Sequence, residues 1–261
     1  ARYVANLRFD DLPTEVVHQT KRIMLDSLAC AIGGYESDAC QIAQRVVKEL
    51  GGLSESTVMG SGLRTSSMNA ALVNGLALRF LDSNDIYGFA IGPMISGHHP
   101  SELIPGALAV GERQRSSGKD VLTSIVLGYE ISDRFCDSAT EKPLPNRGWH
   151  HGTIGPFVMP MVVGKLLGLD EAQMENAIGI SGTAHITLGI PDATGEEYNM
   201  TKNIVFPFAA ERGIMACLLA QKGFTGPGRV LEGNKGFAKS VMGGDCDFNK
   251  LFRGELACNR R

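Results

Sequence analysis

The stretch IVFPFAAERGIMACLLAQ, residues 204–221, decides what kind of fold this chain adopts. Its apolar residues fall on nearly every side when the segment is drawn as a helix, and Gly223 follows shortly behind it. A helix that is apolar almost all round is buried between other elements rather than exposed along one face. The stretch therefore predicts a central helix that is surrounded by further helices.

The same 3.6-residue periodicity recurs along the chain and predicts the surrounding helices. They cover residues 14–32, 38–50, 66–81, 102–116 and 119–138, with one more beginning after Asp170. Gly33 and Gly34 are expected to end the first helix in the left-handed conformation. Evidence for strands is confined to one short extended piece in STVMG, residues 56–60. The predicted fold class is mainly α, a multi-helix bundle without a substantial sheet.

Composition excludes several classes of protein. The 261 residues carry a formal net charge of -3 and contain no basic tract, so we expect no nucleic-acid partner. No apolar run approaches the length of a membrane span, and the first residues contain no signal-peptide core, so no membrane association is expected. The six cysteines are scattered without a C-x-x-C pair, which is typical of reduced thiols in a cytoplasmic protein. A mitochondrial matrix location is the alternative for a eukaryotic source.

Two polar clusters interrupt the helices near the middle of the chain. Asp82 and Asp85 follow the predicted helix 66–81 and would share a face if the helical turn continued. The alternative is a polar turn with local hydrogen bonds. His98 and His99 stand side by side before the next helix, either as proton-transfer or anion-binding groups or as ordinary residues of a helix-entry loop.

A third cluster, RGWHHGT, contains Arg147 and a second histidine pair, His150 and His151. Metal binding is conceivable for it, but neighbouring residues rarely face one ion and no H-E-x-x-H motif is present. Lys202 precedes the apolar helix, where the helix dipole disfavours a cation unless an anion lies nearby. The alternative for Lys202 is a solvated surface side chain. Nucleotide-binding and α/β-hydrolase motifs are missing from the sequence.

Taken in order, seven stretches resemble the MmgE/PrpD family, which includes 2-methylcitrate dehydratase, cis-aconitate decarboxylase and iminodisuccinate epimerase. They are RIMLDSLACAIGG, NAALVNGLALRFLDSND, GHHPSELIPGALAVGE, GYEI, RGWHHGT, VGKLLGL and MTKNIVFPFAAERGIMACLLAQKGFTGP. The resemblance implies that residues 1–240 form the family's helical domain. Residues 241–261 then begin the crossover or form a truncated tail, and the family's smaller α+β domain is expected to be absent.

The resemblance also implies roles for individual residues. Catalytic roles fall to Asp82, His99, His151 and Lys202. Contacts with substrate are expected for Asp85, His98, His150 and Arg147, and the register leaves His150 as the alternative to His151. Relatives often have threonine where this chain has Ile86, and the segment between Ile86 and His98 is longer than usual.

The function implied by the resemblance is that of a metal-independent lyase of small di- and tricarboxylic acids, similar to 2-methylcitrate dehydratase. Fixed cations and donors would stabilise the developing negative charge, so no cofactor is expected. Isomerase, epimerase or decarboxylase activity is the alternative within the family. An inactive, truncated helical dimerisation module and a histidine-based metal hydrolase are the alternatives from other classes. A small polycarboxylate and a second copy of the chain are the expected partners.

Overall fold

A computed structural model describes residues 1–252. Helices dominate it, and the predicted mainly α fold class is confirmed. The α-helices of the described chain are α1 (Arg2–Asn6), α2 (Thr14–Gly34), α3 (Asp38–Leu50), α4 (Ser67–Phe80), α5 (Ile104–Gln114), α6 (Gly118–Asp137), α7 (Gly155–Leu166), α8 (Glu171–Ala184), α9 (Thr201–Gln221), α10 (Phe237–Ser240) and α11 (Phe248–Leu251). Short 3₁₀ helices cover Phe9–Asp11, Pro100–Leu103, Pro145–Arg147, His151–Ile154 and Ile190–Asp192.

Helix α9 lies at the centre and packs against α4, α7 and α8, so the central helix predicted from residues 204–221 is confirmed. Glycines permit the close approach of the neighbouring helices. A Cβ atom at Gly213 of α9 would lie 2.7 Å from the Cβ of Met159 in α7. One at Gly75 of α4 would lie 2.9 Å from Pro207 Cγ in α9. Since real Cβ contacts are not this short, larger residues at these glycines would push the central helices apart.

Helix α7 was not predicted from the sequence, although it is among the most deeply buried elements. Pro156 lies in its first turn, and Pro160 lies inside it. An internal proline removes a helical hydrogen bond and normally argues against a helix. Here tertiary burial compensates, because nearly every residue of α7 is buried against α5, α6, α8 and α9.

Two antiparallel strand pairs complete the described elements. β1 (Ser56–Thr57) pairs with β2 (Arg64–Thr65), in agreement with the extended piece predicted at residues 56–60. β3 (Tyr87–Ile91) pairs with β4 (Met94–His98), and the sequence analysis did not predict this hairpin. Half-buried and exposed residues alternate along β3, and a turn with Gly92 at φ 56° follows. This pattern is typical of a β-hairpin. The segment after Ile86 therefore folds as a β-hairpin beside the histidine pair.

The expected left-handed end of α2 is wrong. Gly33 and Gly34 stay within the helix, and neither has a positive φ. Their function is packing, because a Cβ atom at Gly34 would lie 2.1 Å from the carbonyl oxygen of Ala77 in α4. Small residues at this crossing let the two backbones approach closely.

The described residues after Gly223 are rich in turns but remain attached to the helical body. Val241, Met242 and Leu251 belong to the main hydrophobic core. Asp245 accepts hydrogen bonds from the backbone N–H groups of Thr140, Glu141 and Lys142. The expected boundary near residue 240 stays a prediction. The last part of the predicted tail, residues 253–261, lies outside the described residues.

Within the described chain, α9 is the helix that is long and apolar enough to cross a membrane by length and composition. More than half of its most apolar window, 56%, is buried inside the molecule. Buried core helices pass the same test, so this property alone is weak evidence for a membrane span.

Candidate active site

Helix ends and loops that are distant in sequence converge on one polar cluster. Its members form a continuous series of close approaches. Lys202 Nζ lies 3.0 Å from Asp82 Oδ2, and 3.8 Å from Asp192 Oδ1. Asp192 Oδ2 in turn lies 2.7 Å from His150 Nε2. The rings of His150 and His151 have centroids 4.0 Å apart, and those of His151 and His99 are 5.3 Å apart.

Asp82 occupies the turn that ends α4. Its φ of 51° is unusual for a residue other than glycine, and it ends the helix abruptly. The carboxylate forms an ion pair with Arg79 and accepts a hydrogen bond from Lys202. Burial alone would raise the pKa of Asp82, but Arg79 and Lys202 together lower it to about 2. Asp82 is therefore ionised across the physiological range.

Lys202 lies in the first turn of α9, where its charge opposes the helix dipole. The two carboxylates of Asp82 and Asp192 supply the compensating negative charge, and Tyr198 places its ring 5.0 Å from Nζ. The anion that the sequence analysis expected beside this lysine is therefore supplied by the protein's own aspartates. Because an ammonium has three donors and Asp192 lies beyond hydrogen-bond distance, a carboxylate ligand could bind Lys202 beside Asp82.

The tautomer of neutral His99 follows from its partner. Nδ1 lies 2.7 Å from the carbonyl oxygen of Asp85. Because a carbonyl oxygen can only accept, Nδ1 must carry the proton, and the lone pair resides on Nε2. Pro100 begins a 3₁₀ helix directly after His99, which fixes the backbone at this point.

The side chain of Asp85 is occupied by structural contacts. Its carboxylate accepts hydrogen bonds from the Tyr129 hydroxyl at 2.8 Å and from the Ser101 N–H at 3.1 Å. The condition for a common face of Asp82 and Asp85 is not met, because the helix ends at Phe80 and the two side chains contact different partners. Burial and the Asp85 charge both raise the pKa of Tyr129. Asp85 therefore positions His99 through its backbone.

Each ring nitrogen of His150 lies close to a polar group. Nδ1 accepts a hydrogen bond from the Gly152 N–H at 2.9 Å, which places the ring proton on Nε2. Nε2 lies 2.7 Å from Asp192 Oδ2. A histidine with this arrangement can orient and donate, but its lone pair is already used.

His151 lies next to two buried ionisable residues. Its Nε2 is 3.0 Å from Glu102 Oε2, and Glu102 Oε1 is 3.2 Å from Arg79 Nε. Burial, reinforced by His150, His99 and Arg79, lowers the pKa of His151 well below its ordinary value. Burial raises the pKa of Glu102, and Arg79 opposes that rise. His151 is therefore a neutral imidazole at pH 7.

Comparison with known proteins connects this geometry to a family. A family model described as the MmgE/PrpD N-terminal domain matches residues 1–249. The chain belongs to the MmgE/PrpD family.

The similar curated proteins are named as cis-aconitate decarboxylases or as proteins like them. The chain is 28% identical over 240 residues to cis-aconitate decarboxylase of Aspergillus terreus, covering 90% of this chain and 47% of that protein. It is 29% identical over 239 residues to the Homo sapiens cis-aconitate decarboxylase, covering 91% and 48%. The cis-aconitate decarboxylase-like protein oryM of Aspergillus oryzae is 28% identical over 242 residues. The chain spans about half the length of the curated relatives it matches.

Besides Asp85, two further residues expected to contact substrate in this MmgE/PrpD chain are engaged elsewhere. His98 is buried, with Nε2 3.0 Å from Asp133 Oδ1 of α6, and it ties the β3–β4 hairpin to that helix. Arg147 forms an ion pair with Asp245 and donates to the carbonyl oxygen of Lys142 at 3.0 Å. These contacts assign both residues a structural role in the described chain.

Sequence reasoning missed three members of the cluster. Arg79 and Glu102 are almost fully buried, at 2% relative exposure each, and Asp192 ends a 3₁₀ helix. Arg79 had a signal, since it is a lone cation in the apolar helix α4 and therefore needs a buried partner. Glu102 had a weaker one, three residues after His99. The sequence around Asp192 contains no signal of this kind.

A metal ion is the remaining chemical possibility for this cluster in the MmgE/PrpD chain. His150, His151 and Asp192 place ligand atoms within 4.8 Å of one another. Coordination through His150 Nε2 would require the ring proton to move to Nδ1, where the Gly152 N–H already donates. Lys202, 3.8 Å from Asp192, adds a competing cation. The donor set therefore fits a hydrogen-bonded imidazole network better than a metal centre.

Proposed function

We propose that the protein is a lyase of small di- and tricarboxylic acids that uses imidazole groups as its acid and base. The observation that carries this proposal is the close approach of His99 and His151, with Lys202 in the same network. The His99 tautomer leaves Nε2 as a lone-pair nitrogen, which is what a general base requires. Lys202 would bind a substrate carboxylate.

The chemistry needs no metal in this proposal. In a dehydration, an imidazole removes the proton next to a carboxylate, and the protonated form of the second imidazole assists departure of the hydroxyl group as water. In a decarboxylation, the C–C bond to the departing CO₂ breaks and an imidazolium protonates the resulting carbanion. Fixed cations and hydrogen-bond donors stabilise the charge in either case. Both reactions therefore use Lys202 to hold a carboxylate and an imidazolium, from His99 or His151, to donate a proton, and dehydration in addition needs the other imidazole as a base.

Of these two reactions, we favour decarboxylation of cis-aconitate, because the curated relatives are named for it. Dehydration of 2-methylcitrate, which the sequence resemblance favoured, is the second candidate. Epimerisation of a polycarboxylate such as iminodisuccinate is the third. All three substrates carry at least two carboxylates, so they would compete for the same site at Lys202.

The test is a turnover and binding screen. Purified protein is incubated separately with cis-aconitate, 2-methylcitrate, citrate and iminodisuccinate, and products are followed by NMR while binding is followed by calorimetry. We expect one polycarboxylate to bind and react, and His99→Gln to abolish the reaction while binding persists. Lys222→Gln, at the exposed end of α9, is the control that leaves both unchanged.

An inactive helical module is the alternative, and it is favoured by the fact that Lys202 is already paired with two aspartates. It predicts neither binding nor turnover with any of the four acids.

Self-association is part of both proposals. Sedimentation at micromolar concentration should show a homodimer, and a clean monomer would contradict that part.

A further inference from the structure

Glu102 is a buried member of the described cluster to which the proposed chemistry gives no task. It is 2% exposed and lies at the end of the sequence HHPSE. Its two oxygens face different partners, Oε1 towards Arg79 Nε at 3.2 Å and Oε2 towards His151 Nε2 at 3.0 Å. Burial of a carboxylate is costly unless each oxygen has a partner of this kind.

We propose that Glu102 is the positioning residue for His151: its carboxylate holds the ring proton on Nε2 and so leaves the lone pair of His151 on Nδ1. This inference rests on the proposed function, because a defined lone pair matters only if His151 transfers a proton. Glu102 touches no substrate in the proposal and acts through the imidazole. A buried carboxylate has this role in other enzymes, where it selects the tautomer of a catalytic histidine.

Arg79 makes the assignment specific. Its guanidinium is buried, with 3% of the side chain exposed, and it contacts both Glu102 and Asp82. Burial raises the pKa of Glu102, but the positive charge of Arg79 opposes that rise and favours the ionised form, which can only accept a hydrogen bond from His151. If Glu102 were protonated, it would donate to His151 Nε2 and move the ring proton to Nδ1. The two states of Glu102 therefore give opposite tautomers of His151.

The lone-pair nitrogen selected in this way faces the polar cluster. His151 Nδ1 lies 3.8 Å from Asp192 Oδ2, the oxygen that also contacts His150. Asp192 in turn approaches Lys202 through its other oxygen. The arrangement directs the basic nitrogen of His151 to the side where Lys202 would hold a substrate carboxylate.

The first experiment uses the wild-type protein and no substrate. Long-range ¹H–¹⁵N NMR of the histidine rings at pH 7, with His151→Gln to assign the signals, reports which nitrogen of His151 is protonated. We expect the Nε2–H tautomer. An Nδ1–H tautomer or a doubly protonated ring would overturn the proposal, whatever the protein's activity.

The second experiment is Glu102→Gln. The glutamine amide has one acceptor oxygen, and Arg79 can only donate, so this oxygen turns to Arg79 and the NH₂ group to His151. The ring proton of His151 should therefore move to Nδ1. With the substrate found in the screen, kcat should fall about 10²–10⁴-fold with a smaller change in KM.

Glu112→Gln is the matched control. Glu112 is a partly exposed glutamate of α5 that pairs with Arg64, and neither residue belongs to the polar cluster. It should leave both the His151 tautomer and kcat unchanged. Retention of the Nε2–H tautomer in Glu102→Gln would refute the positioning role. If no substrate turns over, the proposed function fails, while the NMR result still decides the role of Glu102.

Discussion

Lys202 is the residue whose removal best separates catalysis from folding. Replacement by methionine keeps the apolar stem and removes the charge that would hold a substrate carboxylate. We expect a loss of about 2–4 kcal/mol of transition-state stabilisation, which is about 30–1,000-fold in kcat/KM. Stability should change by less than about 1 kcal/mol, because the partner Asp82 is largely solvated and keeps its ion pair with Arg79.

The measurement pairs steady-state kinetics with the thermal midpoint for Lys202→Met. Lys222→Met serves as the control, since it removes an exposed charge at the other end of the same helix. Unchanged kcat/KM would remove Lys202 from the site. A large fall in midpoint would instead assign it a structural role.

Asp245 provides a second prediction about a single residue, and it concerns folding stability. It is buried, accepts hydrogen bonds from Thr140 and from backbone N–H groups of residues 140–142, and pairs with Arg147. Although burial raises the pKa of Asp245, these hydrogen bonds lower it to about 2. A shift from 3.8 to about 2 corresponds to about 2 kcal/mol of stability at neutral pH. We expect Asp245→Asn to lose at least that much.

The sign of the pH dependence follows from the same shift. The folded-state pKa of Asp245 is below its unfolded value, so its stabilisation is fully present above about pH 4 and is lost as pH falls through 2. Urea unfolding of the Asp245→Asn variant should therefore differ from wild type at pH 7 and converge with it at low pH. The exposed Asp26→Asn is the control. Equal stability of the variant and wild type at pH 7 would contradict the prediction.

Sequence reasoning singled out site candidates where a side chain lies at a helix end. Asp82, His99, His151 and Lys202 were all predicted there, and the structure brings them into one cluster. It failed where the partner is buried within an element, as for Glu102, because spacing along the chain does not reveal which side chain faces it. The expected roles of these residues stay predictions.

At the scale of elements, two side-chain contacts hold the β3–β4 hairpin against α6. The Tyr87 hydroxyl donates to Asp137 Oδ1 at 2.9 Å, and His98 contacts Asp133, both carboxylates belonging to α6. Tyr87→Phe removes one of these contacts while keeping the ring. We expect faster amide exchange across residues 87–98 with little change in global stability. Tyr35→Phe, which removes an exposed hydroxyl, is the control.

Exchange measured by mass spectrometry resolves the hairpin from α6. If peptides from residues 87–98 stay as protected as in wild type, the contact with Asp137 does not hold the hairpin. If protection falls throughout the molecule, the hairpin is part of the global folding unit rather than a local element.

The helices show which elements the 3.6-residue periodicity can predict. It correctly predicted α3, α4 and α9, each of which has either one apolar face or burial all round. It missed α7, because Pro156 and Pro160 contradict helix formation locally and only packing overrides them. Short strands such as β3 are equally difficult, since five residues give little periodicity to recognise.

At the scale of the whole molecule, the charge of the site sets how it can bind a polycarboxylate. The cluster contains the cations Arg79 and Lys202, but Asp82, Glu102 and Asp192 offset them. Burial lowers the pKa of His151 well below its ordinary value, so this ring adds no charge at pH 7. A substrate with two or three carboxylates therefore enters a site that has no surplus of positive charge.

Binding should consequently be coupled to proton uptake. A bound carboxylate favours imidazolium and raises the pKa of nearby histidines. Because these groups have a higher pKa in the complex than in the free protein, affinity increases as pH falls and weakens as pH rises through the pKa of the complex. Calorimetric titrations with cis-aconitate in two buffers of different ionisation enthalpy give the number of protons taken up, which we expect to be positive at pH 7. Buffer-independent heats would show that the site binds without protonation, and a net release of protons would reverse the electrostatic argument.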